Sequence, residues 1–219
     1  MGLRELKRER TRRLIADKAF ELFTDHGFGR TTVEQIAAAA EVGPSTLYRY
    51  FPTKETLVLE FVEDCLTDAV DWFHEQPGLD LPEGLQAVIE RVLAQLESDP
   101  DRVRAVFDLA EKTASVSAHL NELIWRFRND LTDELVRRLR AGDTREFIAA
   151  LAAGIAMNII EAVVRIWVDN PDGVAARELA RRAMTLLHNG GIPLPAPQSP
   201  AAATRPTKQP HQPNAGPLH

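Results

Sequence analysis

The sequence predicts an all-α protein: an N-terminal three-helix unit containing a helix-turn-helix, joined to a C-terminal bundle of about six helices. Three observations predict it. Apolar residues recur at the i, i+3, i+4, i+7 spacing of a buried helical stripe, as in Val33, Ile36, Ala37 and Ala40. The stripes are separated by helix stop and start signals: His26-Gly27, Val42-Gly43-Pro44, Pro77-Gly78, Asp99-Pro100 and Asn189-Gly190-Gly191. And Thr31 to Lys54 reads as two short helices joined by a tight turn, with a third helix beginning at its end.

Helix one is expected over about Arg4 to Asp25, with Ile15, Ala19, Leu22 and Phe23 facing inward and Gly27 as a left-handed cap. Thr32, followed three residues later by Gln35, marks the next start as a capping box. Gly43 is expected to supply the freedom for the turn, and Pro44 suits the first turn of the following helix. That helix, Ser45 to Phe51, turns Leu47 and Phe51 inward and leaves Ser45, Thr46, Tyr48 and Arg49 outward. Hydroxyls, an aromatic ring and a guanidinium suit a helix entering the major groove of DNA. Pro52 stops it, Thr53 can cap the next helix, and Lys54 sits where a cation can reach a phosphate.

The fourth helix should run from Lys54 to about Gln76 on a stripe of Val58, Phe61, Val62, Cys65, Ala69, Trp72 and Phe73. Cys65 lies on that stripe and reads as packing rather than as a reactive thiol. Helix five carries Leu85 to Leu96, helix six Val103 to Ala110, and helix seven Leu120 to Leu139, with Trp125 off its stripe and facing either another helix or a cavity. Phe147 to Val168 is apolar enough to raise the question of a membrane span. Its uncharged run ends after Ile160, however, and Asn158, Glu161 and Arg165 interrupt it, which fits a helix buried on most sides within protein; Glu161 and Arg165 form a candidate i, i+4 pair. Helix nine carries Leu179, Ala183, Leu186 and Leu187. Eight prolines fall in the last 28 residues, so 191–219 is expected to be a disordered tail. The expected division is 1–55 (helix-turn-helix 33–52), 56–190, and the tail.

A net charge of -6 does not announce a nucleic-acid binder, so affinity must come from a local patch. Between Arg4 and Arg13 lie six cations, Arg8 and Arg12 among them, against two carboxylates. One cysteine excludes an internal disulfide and suits a reducing cytoplasm. No Gly-rich phosphate loop, nucleophile elbow or His-x-x-x-His pair is present, and the six histidines are scattered. Cys65, Asp64 and His74 are spread too far along one helix to share a metal. Neither catalysis, a cofactor nor a metal is expected.

The run from Gly43 to Leu57, GPSTLYRYFPTKETL, together with F-x-x-x-G-F-x-x-T-T-V-x-x-I-A-x-x-A-x-V from Phe23 to Val42, resembles the DNA-binding region of TetR-family transcriptional regulators. The resemblance implies DNA contacts, mostly to phosphates, for Thr32, Ser45, Thr46, Tyr48, Tyr50 and Lys54, with Pro44, Ser45 and Tyr48 nearest the bases. Thr31 and Arg49 complete the candidate surface. Val33 and Glu34 depart from a cationic helix start. The resemblance further implies a homodimer built on helices eight and nine, a near-palindromic DNA site, and a small-molecule effector that releases DNA, with helix four as the lever. Helix seven and Ala156 to Gly173 are similar to the C-terminal domain of mycofactocin-type members linked to fatty acyl-CoA thioesters. An acyl-CoA or another hydrophobic compound is thus the expected effector, with Phe107, Trp125, Phe127, Met157 and Arg165 as candidate lining. A multidrug-type pocket is the close rival. The alternative function is a DNA-binding-deficient scaffold or antirepressor.

Overall fold

The structure, a computed structural model, describes residues 2–170 and 173–195. Helices account for the fold of these residues, and no strand occurs among them. They are α1 (Leu3–His26), α2 (Val33–Ala39), α3 (Pro44–Tyr50), α4 (Lys54–His74), α5 (Leu81–Leu96), α6 (Pro100–Lys112), α7 (Ala114–Arg138), α8 (Arg145–Asp169) and α9 (Ala176–His188). The proline-rich tail lies, from residue 196 onward, outside the described residues.

Two cores form. The smaller gathers Ile15, Ala16 and Ala19 of α1, Ile36 and Ala37 of α2, and Leu47, with Phe51 and Leu57 closing it. The larger joins the α4 stripe to α5, α7 and α8, with α6 and α9 at its edges. Apolar periodicity thus becomes two buried clusters, and α4 contributes to both. Cys65 is buried among them, and burial, reinforced by the nearby carboxylates Asp64, Asp68 and Glu60, pushes its thiol up to about 12.

Local signals set the helix ends. The Thr32 hydroxyl accepts the Gln35 amide while the Gln35 side chain accepts the Thr32 amide. Thr53 and Thr56 repeat the arrangement at α4. Gly27 has φ of +83° and ψ of 147°, a region only glycine enters comfortably, so the expected cap is present in a more extended form. The turn after α2 differs from expectation. Glu41 takes the left-handed conformation, with φ of +54°, whereas Gly43 is extended and caps α3. Two hydrogen bonds explain why: the Val42 amide donates to Ala37 O and the Glu41 amide to Ala38 O, the paired closure of a Schellman motif, which puts the positive φ one residue past the cap.

Two expectations about the lobe are corrected. Trp125 faces neither a helix nor a cavity but is 62% exposed. Nor is α8 buried on most sides: α7 and α5 cover one face, while Phe147, Ile148, Leu151, Ile155 and Ile166 stay exposed on the other. Glu161 and Arg165 form no ion pair among the described residues.

Candidate nucleic-acid interface

The α2–turn–α3 unit holds α3 by Leu47 and Phe51, both buried, with Pro44 at its first turn. That anchoring dictates what points away. Pro44, Ser45, Tyr48 and Arg49 are exposed, as is Thr32 at the start of α2, while Thr46 and Tyr50 are half-buried. Tyr48 keeps 48% of its surface in solvent, a large ring with no internal partner to explain it. The Arg49 guanidinium lies 5.5 Å from the centre of the Tyr50 ring, which holds the cation at the end of α3.

The first turns of α1 run alongside that end. Arg4, Lys7, Arg8 and Thr11 line one groove with Arg49 and Tyr50, of about 820 Å³. Four cations face a single carboxylate there, Glu5. The acidic chain therefore concentrates positive charge where an exposed helix meets it, the condition for phosphate binding. Arg8 lies in this groove, and so do Arg4 and Lys7, which the sequence placed in the basic run without singling them out.

Three candidates turn out to be occupied within the fold. Thr31 is buried, its hydroxyl directed at the carbonyls of Leu22 (3.1 Å) and Gly27 (3.0 Å). Lys54 donates to Phe28 O (2.9 Å) and Thr31 O (3.1 Å), with its ammonium 4.6 Å from the Phe28 ring centre, so two of its three donors close the loop before α2. Arg12 turns inward onto α4, bonding Asp64 at 2.7 Å and Glu60 at 3.1 Å and lying over the Phe51 ring at 5.5 Å. We reassign Arg12 from phosphate contact to tethering α1 on α4. A second tie runs from Arg102 of α6 to Asp17 of α1 at 3.1 Å.

This network has unusual electrostatics. Burial, and then repulsion from Asp64, pushes the Glu60 carboxyl up to about 7, over the opposing attraction of Arg12 and Arg102. Asp64 is raised too, by burial that its bond to Arg12 does not fully offset. A raised carboxyl pKa means the folded protein favours the protonated form. Its contribution to stability is complete below the unfolded value near 4.5 and is lost as pH rises through about 7. Glu60→Gln is expected to flatten the fall in unfolding free energy across that window, measured by urea titration at several pH values. A slope equal to that of the wild type would free Glu60 of this role.

The five candidate lining residues are not gathered. Phe127 and Met157 are buried in the larger core, Phe107 is half-buried at its edge, and Trp125 and Arg165 are exposed. No group of three or more His, Cys, Asp or Glu side chains is placed to hold a metal among the described residues.

Residues 15–61 match the family model described as bacterial regulatory proteins, tetR family. Over these residues the chain is a TetR-type DNA-binding region. The regulator TcmR of Streptomyces glaucescens is 50% identical over 58 residues, about a quarter (26%) of each chain. The fatty acid metabolism regulator protein of Bacillus subtilis is 23% identical over 180 residues, 80% of this chain and 93% of that one. Among solved structures, Thermus thermophilus FadR, a TetR-family repressor in complex with lauroyl-CoA, superimposes with a TM-score of 0.57 at 21% identity, over 86% of this chain and 98% of that one. That likeness shows the fold: an N-terminal helix-turn-helix on a helical lobe. These named relatives are regulators, and the matched segment marks this chain as a DNA-binding transcriptional regulator of TetR type.

Proposed function

We propose that this regulator is a cytoplasmic homodimeric repressor that a small hydrophobic effector, of the acyl-CoA class, releases from a near-palindromic operator. In this reading residues 1–55 bind DNA and 56–190 bind effector and partner. The observation that carries it is the cationic groove joining α1 to the end of α3, together with the exposure of Ser45 and Tyr48 on α3 and of Thr32 at the start of α2. Phosphates meet the groove cations, while Ser45 and Tyr48 reach base edges. Two copies related by a two-fold axis would set their α3 helices in successive major grooves, roughly 34 Å apart. The exposed α8 face supports the dimer, and the lauroyl-CoA complex of the Thermus relative supports the effector class. The effector acts only if it prefers the helix spacing that does not fit DNA.

The test is selection of bound genomic fragments, followed by gel shifts on the recovered site. A preference of at least about a thousandfold over random DNA is expected for a specific regulator, and dodecanoyl-CoA should abolish it. Equal affinity for all DNA would favour the scaffold reading. Arg4→Ala, Lys7→Ala and Arg8→Ala combined should weaken binding to every sequence and reduce the slope of log K against log salt by about three, one per lost phosphate contact. An unchanged slope would take the groove out of the interface.

A further inference from the structure

A cavity of about 410 Å³ lies at the junction of the DNA-binding unit and the lobe, and none of the five lining residues expected from the sequence belongs to it. Phe20, Phe23 and Phe28 wall it on the α1 side, Val58 closes its base from α4, and Val106 and Leu109 face them from α6. Phe23 and Phe28 sit with ring centres 5.2 Å apart, tilted by 55°, and Lys54 covers one face of Phe28, so an aromatic ligand would meet the remaining ring surface. The cavity is half open, and its apolar walls can gain dispersion contacts from a ligand that covers them. Its size is at the small end for ligand sites.

The rim carries Thr24, whose hydroxyl donates to Phe20 O, and a charged pair on α6. Asp108 and Lys112, one turn apart on α6, both border the cavity, both are exposed, and neither is ion-paired with the other among the described residues. A carboxylate accepts and an ammonium donates. A hydroxyl can do both at once, giving its proton to Asp108 and accepting from Lys112. A nucleotide-bearing thioester fits poorly, since its several charges would face a single cation and phenylalanine walls.

We infer that this junction is a second small-molecule site, taking a compact planar aromatic compound that carries a hydroxyl group. The rings stack against Phe23 and Phe28, and the hydroxyl bridges Asp108 and Lys112. The site does not depend on the acyl effector reading, because it shares no residue with the expected acyl lining.

The experiment uses 2-naphthol and the full-length protein without DNA. Titration calorimetry should give saturable binding with one molecule per protomer. Hydrogen exchange should show protection in 20–28 and 105–112. Ala105→Trp, which fills the cavity from α6, should weaken binding at least about tenfold. Asp108→Ala with Lys112→Ala, or use of 2-methoxynaphthalene, which cannot donate, should cost about tenfold, the effect of losing a hydrogen bond to a charged group. Because the exchange map is read on wild-type protein, it stands even if Ala105→Trp folds poorly. Absence of saturable binding, or protection confined to α7 and α8, would overturn the assignment.

Discussion

On the proposed two-fold pairing through α8, replacing Leu151 and Ile155 together with glutamate is expected to leave the protein monomeric and to lower its affinity for a two-fold operator by at least about a hundredfold, equivalent to ~2.7 kcal/mol. The face in question is read from exposure. Ile148, Leu151 and Ile155 follow one another at i, i+3 and i+7 on α8, Phe147 and Ile166 extend the surface, and Leu186 is exposed on the neighbouring α9. Soluble monomers seldom leave so long an apolar stripe in water, and a helix pair of this kind is covered most simply by its own copy. In a two-fold contact each substitution appears twice, so four carboxylates would crowd one interface. A desolvated charge without a partner costs several kcal/mol, more than a dimer of moderate size can offset. Sedimentation velocity on wild type and variant reads the first effect, and gel shifts on whole and half operators read the second. A double variant that stays dimeric with full operator affinity would move the interface away from α8. One that is monomeric but keeps its melting temperature would separate association from folding.

Much of this arrangement was legible in the residues themselves. Helical stripes reported every element, because burial on one side of a helix repeats at fixed spacing. Leu47 and Phe51 pointed inward for the same reason, and that left Ser45, Tyr48 and Arg49 outside. Charged side chains escape this logic. Arg12 and Arg8 are one turn apart in the same basic run, yet Arg12 is bonded to carboxylates 48 and 52 residues away while Arg8 is exposed. Only packing of α1 on α4 distinguishes them. The cavity was hidden for a related reason: its walls come from 20–28, 57–58 and 105–112, which meet only when three helices are placed. Glu41 shows the limit at short range. Glycine is the usual residue for positive φ, but the hydrogen-bond pattern closing α2, and not the nearest glycine, decides which residue adopts it.

The second large effect concerns the far end of the lobe, where Glu134→Ala is expected to cost about 3 kcal/mol and to lower the melting temperature by roughly 6–12 °C. Glu134 is 3% exposed on α7, covered by the cationic side chains gathered around it. Three side chains hold it. Arg138 donates to one carboxylate oxygen at 2.6 Å; Arg137 at 2.9 Å through Nε and His74 at 2.9 Å engage the other. Burial alone would raise its pKa, but the bonds from Arg138, His74 and Arg137 outweigh it and bring the carboxyl down to about 2. Arg138 uses its remaining donors on the carbonyls of Gln76 and Phe73 and packs 3.7 Å over the Phe73 ring, so the cluster also finishes the C-terminal end of α4. Alanine removes the charge that balances a 10% exposed guanidinium. The loss falls at the lower end for a broken buried pair because Arg138 keeps its two carbonyl partners. Glu134→Gln retains the shape and should cost about half as much. The sign of the pH effect follows from the depressed pKa: the contribution is present above the unfolded value near 4.5 and is lost as pH falls through about 2. Urea unfolding should therefore find wild type and Glu134→Gln converging in acid and diverging toward neutrality. Equal stability of the two at neutral pH would mean that the end of α4 is held by Arg138 and its carbonyl contacts alone.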